Sequence, residues 1–456
     1  MSGGLRERLA RLKAQASSAK PAEDNGDGSG QEGGGVPNSF SQRESAGATR
    51  SPADDHALHP AFERIGVRQV DNSHGSFLLR TIPYPLHYAH GLYELGALMR
   101  SATRLGPVAL RQNKKEEADR EPELDVGKLL FLDTETTGLG VGAGNVPFMI
   151  GIGFFDEEGE AFVVEQTLIR HPGEERAMLF HLLGRMDGRT HLVTYNGRTF
   201  DWPVLVNRYI LNGWRSNGKE PGHLDFLHPS RALWRNTLES CRLSRIEEDR
   251  LGIARGEDVP GSLAPELYMR YLSDGDAGHL EGVYHHNERD ILTLVSLAAH
   301  FGALLGGDEP AVSPPEGAEE LYRTAAWLDV HGQSERSERL FEALIGREDA
   351  AAWRWWLPAA ARYKRLGRYE TALPLWERAA VRAERAALPS TEAHVELAMY
   401  YEHRAKDYGA ALGYAEAALD LALRRPSSPR EPKRVREERD ELRKRVERLR
   451  RKLARG

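Results

Sequence analysis

Cysteine is almost absent: Cys241 stands alone in 456 residues. That excludes an internal disulfide and a multi-cysteine metal centre, and it fits a reducing, cytoplasmic setting. Long apolar runs are missing too. None approaches the roughly 20 residues that cross a bilayer. The opening MSGGLRERLARLKAQ has Leu5, Leu9 and Leu12 at helical spacing but no continuous apolar core, so neither a signal peptide nor membrane association is expected. There is no excess of positive charge either. A net charge of −6 argues against coating nucleic acid along the whole surface, although not against local contact. The charge is uneven: from Arg424 to Gly456 there are 15 Lys and Arg against 6 Asp and Glu, so a tail of +9 follows a body of −15.

What is present falls into five segments. Residues 1–57 hold a Gly-, Ser- and Ala-rich stretch whose large apolar residues are Val36 and Phe40, too few to offset ordering entropy, so disorder is expected. Residues 58–125 form a small α/β extension of unassigned role, with a strand expected over 77–85 and a helix over 87–100; His87 and His90 in it are read as structural or surface residues rather than ligands. Residues 126–306 alternate β-rich runs (129–135, 146–155, 161–169, 191–196, 223–228) with helical patterns (174–186, 200–213), which predicts a mixed α/β sheet with flanking helices. Residues 317–424 turn wholly helical and repetitive. The turn KRLGRYETAL fits a tetratricopeptide-like solenoid, with Gly367 as repeat position 15 aligning Trp356, Ala360, Ala372, Trp376 and Ala379. Residues 425–456 are a basic helical tail with Leu442, Val446, Leu449 and Leu453 in a two-heptad seam, read as a solvated helix.

The chemistry concentrates in the α/β segment. In FLDTETTGL (131–139) alternate strand residues share a face, so Asp133 and Glu135 project together. Two adjacent carboxylates repel, and burying both is costly unless a cation neutralises them. Hard oxygen ligands of this kind suit Mg²⁺ or Mn²⁺. TYNGRTFDW (194–202) ends a strand at Asn196 and places Asp201 in the first turn of a helix, where a capping carboxylate is a weighty alternative reading. Asp290 borders the helical pattern of Leu280, Tyr284, Asn287, Ile291, Leu294 and Ala298. Four acids from three elements suffice to hold two metal ions, and such a site wants a group that takes a proton from water.

In these motifs the chain resembles the DnaQ-like (DEDD) 3′–5′ exonucleases of the ribonuclease H-like fold, over residues 126–306. The pattern D-x-E-T-T-G-L matches Asp133, Glu135, Thr136, Thr137, Gly138 and Leu139. The second motif matches Asn196, Phe200 and Asp201, and the third supplies Asp290 with an upstream His or Tyr. The resemblance implies that Asp133, Glu135, Asp201 and Asp290 hold two divalent ions, Mg²⁺ or Mn²⁺. It also implies that the Thr136–Leu139 turn receives the 3′-terminal nucleotide, and Asn196 is grouped with these substrate contacts. Along the whole chain the likeness is to the YprB-type subgroup, through NVPFMIGIGFF, YNGRTFDWPVL, HLDFLHPSRALW and EDVPGSLAPELY. That subgroup joins such a domain to tetratricopeptide repeats, and the likeness implies a helicase partner in DNA repair.

The general base is less plain. YHHNERDIL (284–292) sets Tyr284, His285 and His286 six, five and four residues before Asp290. On one continuous helix His286 is about 40° from Asp290 around the axis and His285 about 140°, while Tyr284 falls on the apolar stripe. The family has a tyrosine four residues, or a histidine five residues, before the last acid; here a histidine holds the nearer position. This favours His286, unless the helix begins with Asn287 as N-cap, which revives His285. The expected activity is hydrolysis of nucleic acid from a 3′ end, single-stranded DNA favoured. An RNA-directed enzyme, and an inert scaffold working through its helical repeats, are the alternatives. Among lesser signals, HLDFLH (223–228) is read as strand ends facing solvent rather than a His223–Asp225–His228 metal cluster, and Trp202 as core. Arg198, Arg208, Arg231, Arg235 and Arg242 are read together as phosphate contacts.

Overall fold

A computed structural model describes residues 58–455 apart from 114–123, 139, 143, 157, 215–219, 257, 308–314, 316 and 426–432. The segment expected to be disordered, 1–57, and Leu139 lie outside the described residues. Strands β1 (Val67–Asn72) and β2 (Gly75–Pro85) precede a small ribbon, β3 (Ala89–His90) and β4 (Tyr93–Glu94). Then come β5 (Leu129–Thr136), β6 (Pro147–Phe155), β7 (Ala161–Leu168), β8 (His191–Thr194) and β9 (Gly222–Asp225). All but β3 and β4 share one mixed sheet in the order β1-β2-β7-β6-β5-β8-β9. Pairings from β1 through to β5 are antiparallel, whereas β5–β8 and β8–β9 are parallel.

The sheet is covered on both faces. Every residue of β6 is buried, which is why VPFMIGIGFF is continuously apolar rather than alternating. Leu129 and Phe131 of β5 join Ile291 to Leu305 of the long helix Glu281–Gly306 in one core; Leu130 and Leu132 join Leu179, Leu182, Leu205 and Tyr209 in the other. The span Ala277–Gly306 is long and apolar enough to cross a membrane by length and composition, but 83% of that apolar window is buried inside the protein. Its apolarity is that of a core helix. The strand expected at 77–85 is β2, which with β1 extends the sheet beyond β7. The helix expected over 87–100 is instead the β3–β4 ribbon and a short helix, Ala97–Ser101. Gly91 turns the chain at φ 69°, and a Cβ there would stand 2.2 Å from the Leu251 carbonyl oxygen, so the backbone approaches too closely for a helix to pass.

Beyond Gly317 every described element is a helix. Ala318–Val330 pairs with Ser334–Ile345, Ala350–Arg365 with Tyr369–Glu384, and Glu392–Tyr400 precedes Tyr408–Arg424. Asp349 and Asp407 cap helix starts by accepting from Ala352 N and Ala410 N, each at 2.9 Å. Gly332 and Gly367 make the turns inside the first two pairs at φ 80° and 74°. Trp356, Ala360, Ala372 and Trp376 are all buried in the shared core. The tail helix Lys433–Leu453 is not merely solvated: Leu442, Val446 and Leu449 pack on Ala411, Ala415, Ala418 and Ala422, while Leu453 stays exposed. Its Arg448 and Lys452 reach the buried Glu402 at 2.8 and 2.9 Å.

Candidate active site

β5 brings Asp133 and, by strand alternation, Glu135 to the side covered by the helix Glu281–Gly306. The β5–β6 register breaks between Glu135 and Thr136, where the strand turns away. β8, parallel to β5, ends beside it and delivers the second motif. There Asn196 adopts φ 69°, a left-handed conformation that asparagine tolerates better than most residues. The turn is held from below by Asp225 at the end of β9. Asp225 accepts from Asn196 N at 2.8 Å, Arg198 N at 3.1 Å and Leu227 N at 3.0 Å. It is wholly buried and His223 nearly so, contrary to the solvent-facing reading of HLDFLH. Buried backbone N–H groups need an acceptor, and Asp225 supplies it. The turn thereby fixes the helix Asp201–Leu211, and Asp201 Oδ1 accepts from Thr134 Oγ1.

The helix Glu281–Gly306 is continuous through the histidines, so it does not begin at Asn287. His286 is buried, with Nε2 3.6 Å from Asp290 Oδ2 and Nδ1 3.0 Å from Asp258 Oδ2. His285 is half-exposed on another face, Nδ1 3.6 Å from Glu288. Tyr284 is wholly buried in the apolar core.

Two polar relays, legible in no motif, hold the acids. Asn287 Nδ2 donates to Asp133 Oδ2 at 2.8 Å, Gln166 Nε2 donates to Asn287 Oδ1 at 2.9 Å, and Arg80 Nη1 donates to Gln166 Oε1 at 2.9 Å. On the other side Arg255 bonds Asp290 and forks onto Glu247, which accepts from Thr293 Oγ1; Thr293 in turn stands 3.0 Å from His90 Nε2. Arg80 on β2 and His90 on β3 tie the 58–125 segment to the site. The hints in the sequence are two amides in apolar surroundings, Gln166 in AFVVEQTLI and Asn287 on the helical stripe of Tyr284 and Ile291.

The electrostatics are those of a crowded anionic site. Burial pushes Asp133 and Glu135 well above the usual carboxylate range, and the facing acids add to it. Burial lifts Asp201 to about 6 against the pull of the Thr134 hydroxyl. Burial also raises Asp290, opposed by His286 and Arg255. No trio of His, Cys, Asp or Glu side chains among the described residues is gathered closely enough to enclose a cation as it stands. The donor set fits divalent ions nonetheless: four carboxylates offer only oxygen donors, and a hard cation would relieve their mutual repulsion.

The turn after β5 is tied back on itself. Thr136 Oγ1 donates to the Gly138 carbonyl at 2.7 Å, Thr137 Oγ1 accepts from Val146 N at 3.0 Å, and Asn145 Nδ2 donates to the Gly140 carbonyl at 2.6 Å. Asn196 Oδ1 accepts from Thr199 Oγ1 at 2.7 Å. Two of the arginines read as phosphate contacts are engaged elsewhere: Arg208 pairs with buried Glu175, and Arg198 donates to the Gln112 carbonyl. Each satisfies a partner that the fold would otherwise strand.

Residues 130–301 match the RNase_H_2 family of the RNase_H superfamily. The chain is also 35% identical over 386 residues to the "Uncharacterized protein YprB" of Bacillus subtilis (strain 168), covering 84% of this chain and 89% of that one.

Proposed function

The chain belongs to the YprB family and carries a ribonuclease H superfamily nuclease domain, and from that premise we propose that it is a metal-dependent 3′–5′ exonuclease. Such a domain acts on nucleic acid and generally works with divalent metal ions. The observation that supports the finer reading is the gathering of four acids from three elements, each with its pKa raised by burial. Asp133, Glu135, Asp201 and Asp290 hold two ions, Mg²⁺ or Mn²⁺, in this reading. When bound, the ions supply the Lewis acidity for phosphodiester hydrolysis.

The chain's own residues do the rest. Asp258 beside Nδ1 of His286 favours the tautomer protonated there, which leaves Nε2, on the Asp290 side, to take the proton of the attacking water. The Thr136–Gly138 and Asn196 turns, at the ends of neighbouring strands, receive the 3′-terminal nucleotide. Single-stranded DNA in a repair setting is the favoured substrate. The helix pairs from 318 to 424 serve as tetratricopeptide-like repeats for a protein partner, a helicase that feeds single strands.

The test is cleavage of a 5′-labelled single strand with Mn²⁺ by the intact protein and by Asp133→Ala. Stepwise shortening by the former and none by the latter is expected. Equal cleavage by both overturns the assignment. DNA and RNA strands in competition decide the sugar, since the 2′-hydroxyl is what distinguishes them.

A further inference from the structure

The site contains a cation of its own. Arg255 follows the short helix Leu243–Ile246, and its guanidinium spans Glu247, Asp258 and Asp290. Its donors are nearly all committed. Nε and Nη2 form a fork on Glu247, Nη2 also donates to Asp290 Oδ1, and Nη1 donates to Asp258 Oδ2 at 3.0 Å. A guanidinium has five N–H groups, so at most one is left. The anchor is rigid in its turn. Glu247 is wholly buried, accepts from Thr293 Oγ1, and its carbonyl accepts from Ile253 N at 2.9 Å.

A guanidinium so committed is poorly placed to grip a phosphate and too firmly held to swing away. Its influence runs through its neighbours. It occupies Oδ1 of Asp290 and leaves Oδ2, the oxygen facing His286, for other work. It stays charged at any pH the protein meets, and in a partly buried site its charge repels an arriving divalent ion strongly. We propose that Arg255 is a positioning residue and the built-in counter-ion of the carboxylate cluster: it fixes one oxygen of Asp290 and holds divalent-metal affinity below that of the four acids alone. This rests on the metal-dependent reading above.

Affinity and turnover should therefore move in opposite directions when the cation is removed. Glu247→Gln with Arg255→Gln deletes both charges of the buried pair without stranding either, and Arg255→Lys keeps the charge but loses the fork. Calorimetric Mn²⁺ titration of the full chain is expected to show binding at least about five-fold tighter in the double variant. Arg255→Lys should stay within about two-fold of the unaltered protein. Turnover on the 3′-ended strand should fall at least about ten-fold in both, with KM little changed. A merely structural role would weaken metal binding and turnover together. Unchanged or weaker Mn²⁺ binding in a natively folded double variant overturns the proposal. If the double variant does not fold, Arg255→Lys decides: lowered turnover at near-normal affinity upholds it, and any larger change of affinity sinks it. Should the unaltered protein bind Mn²⁺ yet cut nothing, the nuclease reading fails while the titration still judges Arg255.

Discussion

Asn287 Oδ1 stands 2.0 Å from where a Cβ on Gly151 would lie, and Gly151 faces Asp133 in the β5–β6 ladder. The missing side chain is thus the space through which Asn287 reaches Asp133. Asn287 cannot retreat cheaply, because both ends of its amide are engaged, one by the buried Gln166 and the other by the half-buried Asp133. Gly151→Ala is therefore expected to cost about 2 kcal/mol by overpacking and to lower turnover about 100-fold by displacing Asp133. Urea unfolding and the Mn²⁺-dependent cleavage assay measure the two effects. Wild-type values in both would show that the asparagine has no grip on the acid.

The two histidines separate by environment. His286 lies between Asp258 and Asp290, whereas His285 stands half in solvent beside Glu288. Turnover in His286→Ala should fall at least about 100-fold, as for loss of a general base, and His285→Ala should stay near normal. Single-turnover rates at saturating Mn²⁺ make the comparison; a larger defect in His285→Ala reverses the assignment.

The sequence foretold what is periodic or locally constrained. Strand alternation placed Asp133 beside Glu135, and helical spacing put His286 on the Asp290 side, because both depend on residues within one element. The β3–β4 ribbon was missed because Gly91 answers to the Leu251 carbonyl, 160 residues away. Arg80, Gln166 and Asn287 form a relay whose members are chosen by each other, and no local propensity marks such a chain. Asp225 was read as a solvent-facing strand end because its partners, Asn196 N and Arg198 N, belong to another turn. Seam residues on the tail were visible, but their cover, the small residues of Tyr408–Arg424, was not.

Asp201 makes metal-free stability depend on pH. Its folded pKa is raised to about 6 from an ordinary 3.8, so the folded state binds the extra proton between those values. The unfolded state there binds fewer protons, so stability falls as pH rises from about 4 to about 6. The shift is worth about 3 kcal/mol. In EDTA, Asp201→Asn should lack this part of the slope while keeping the rest. Parallel stability–pH curves for the two proteins would show that Asp201 titrates normally.

Glu402 gives the opposite sign at the other end of the molecule. Burial alone would raise it, but Arg448 and Lys452 hold it down to about 2. A carboxylate with a depressed folded pKa contributes stability above its unfolded value, near 4.5, and loses it as pH falls towards 2. At neutral pH, Glu402→Gln leaves the tail-helix cations without their buried partner, at a cost of about 3 kcal/mol. The tail helix, held besides by Leu442, Val446 and Leu449, should then be removed by trypsin before the helix pairs of 318–424 are cut. Lowering the pH towards 3 should narrow the gap between the two proteins, because below about 4.5 the unfolded carboxyl takes up a proton while the native one, held near 2, stays ionised. A difference that stays constant across that range would mean that the ion cluster does not hold the tail in place.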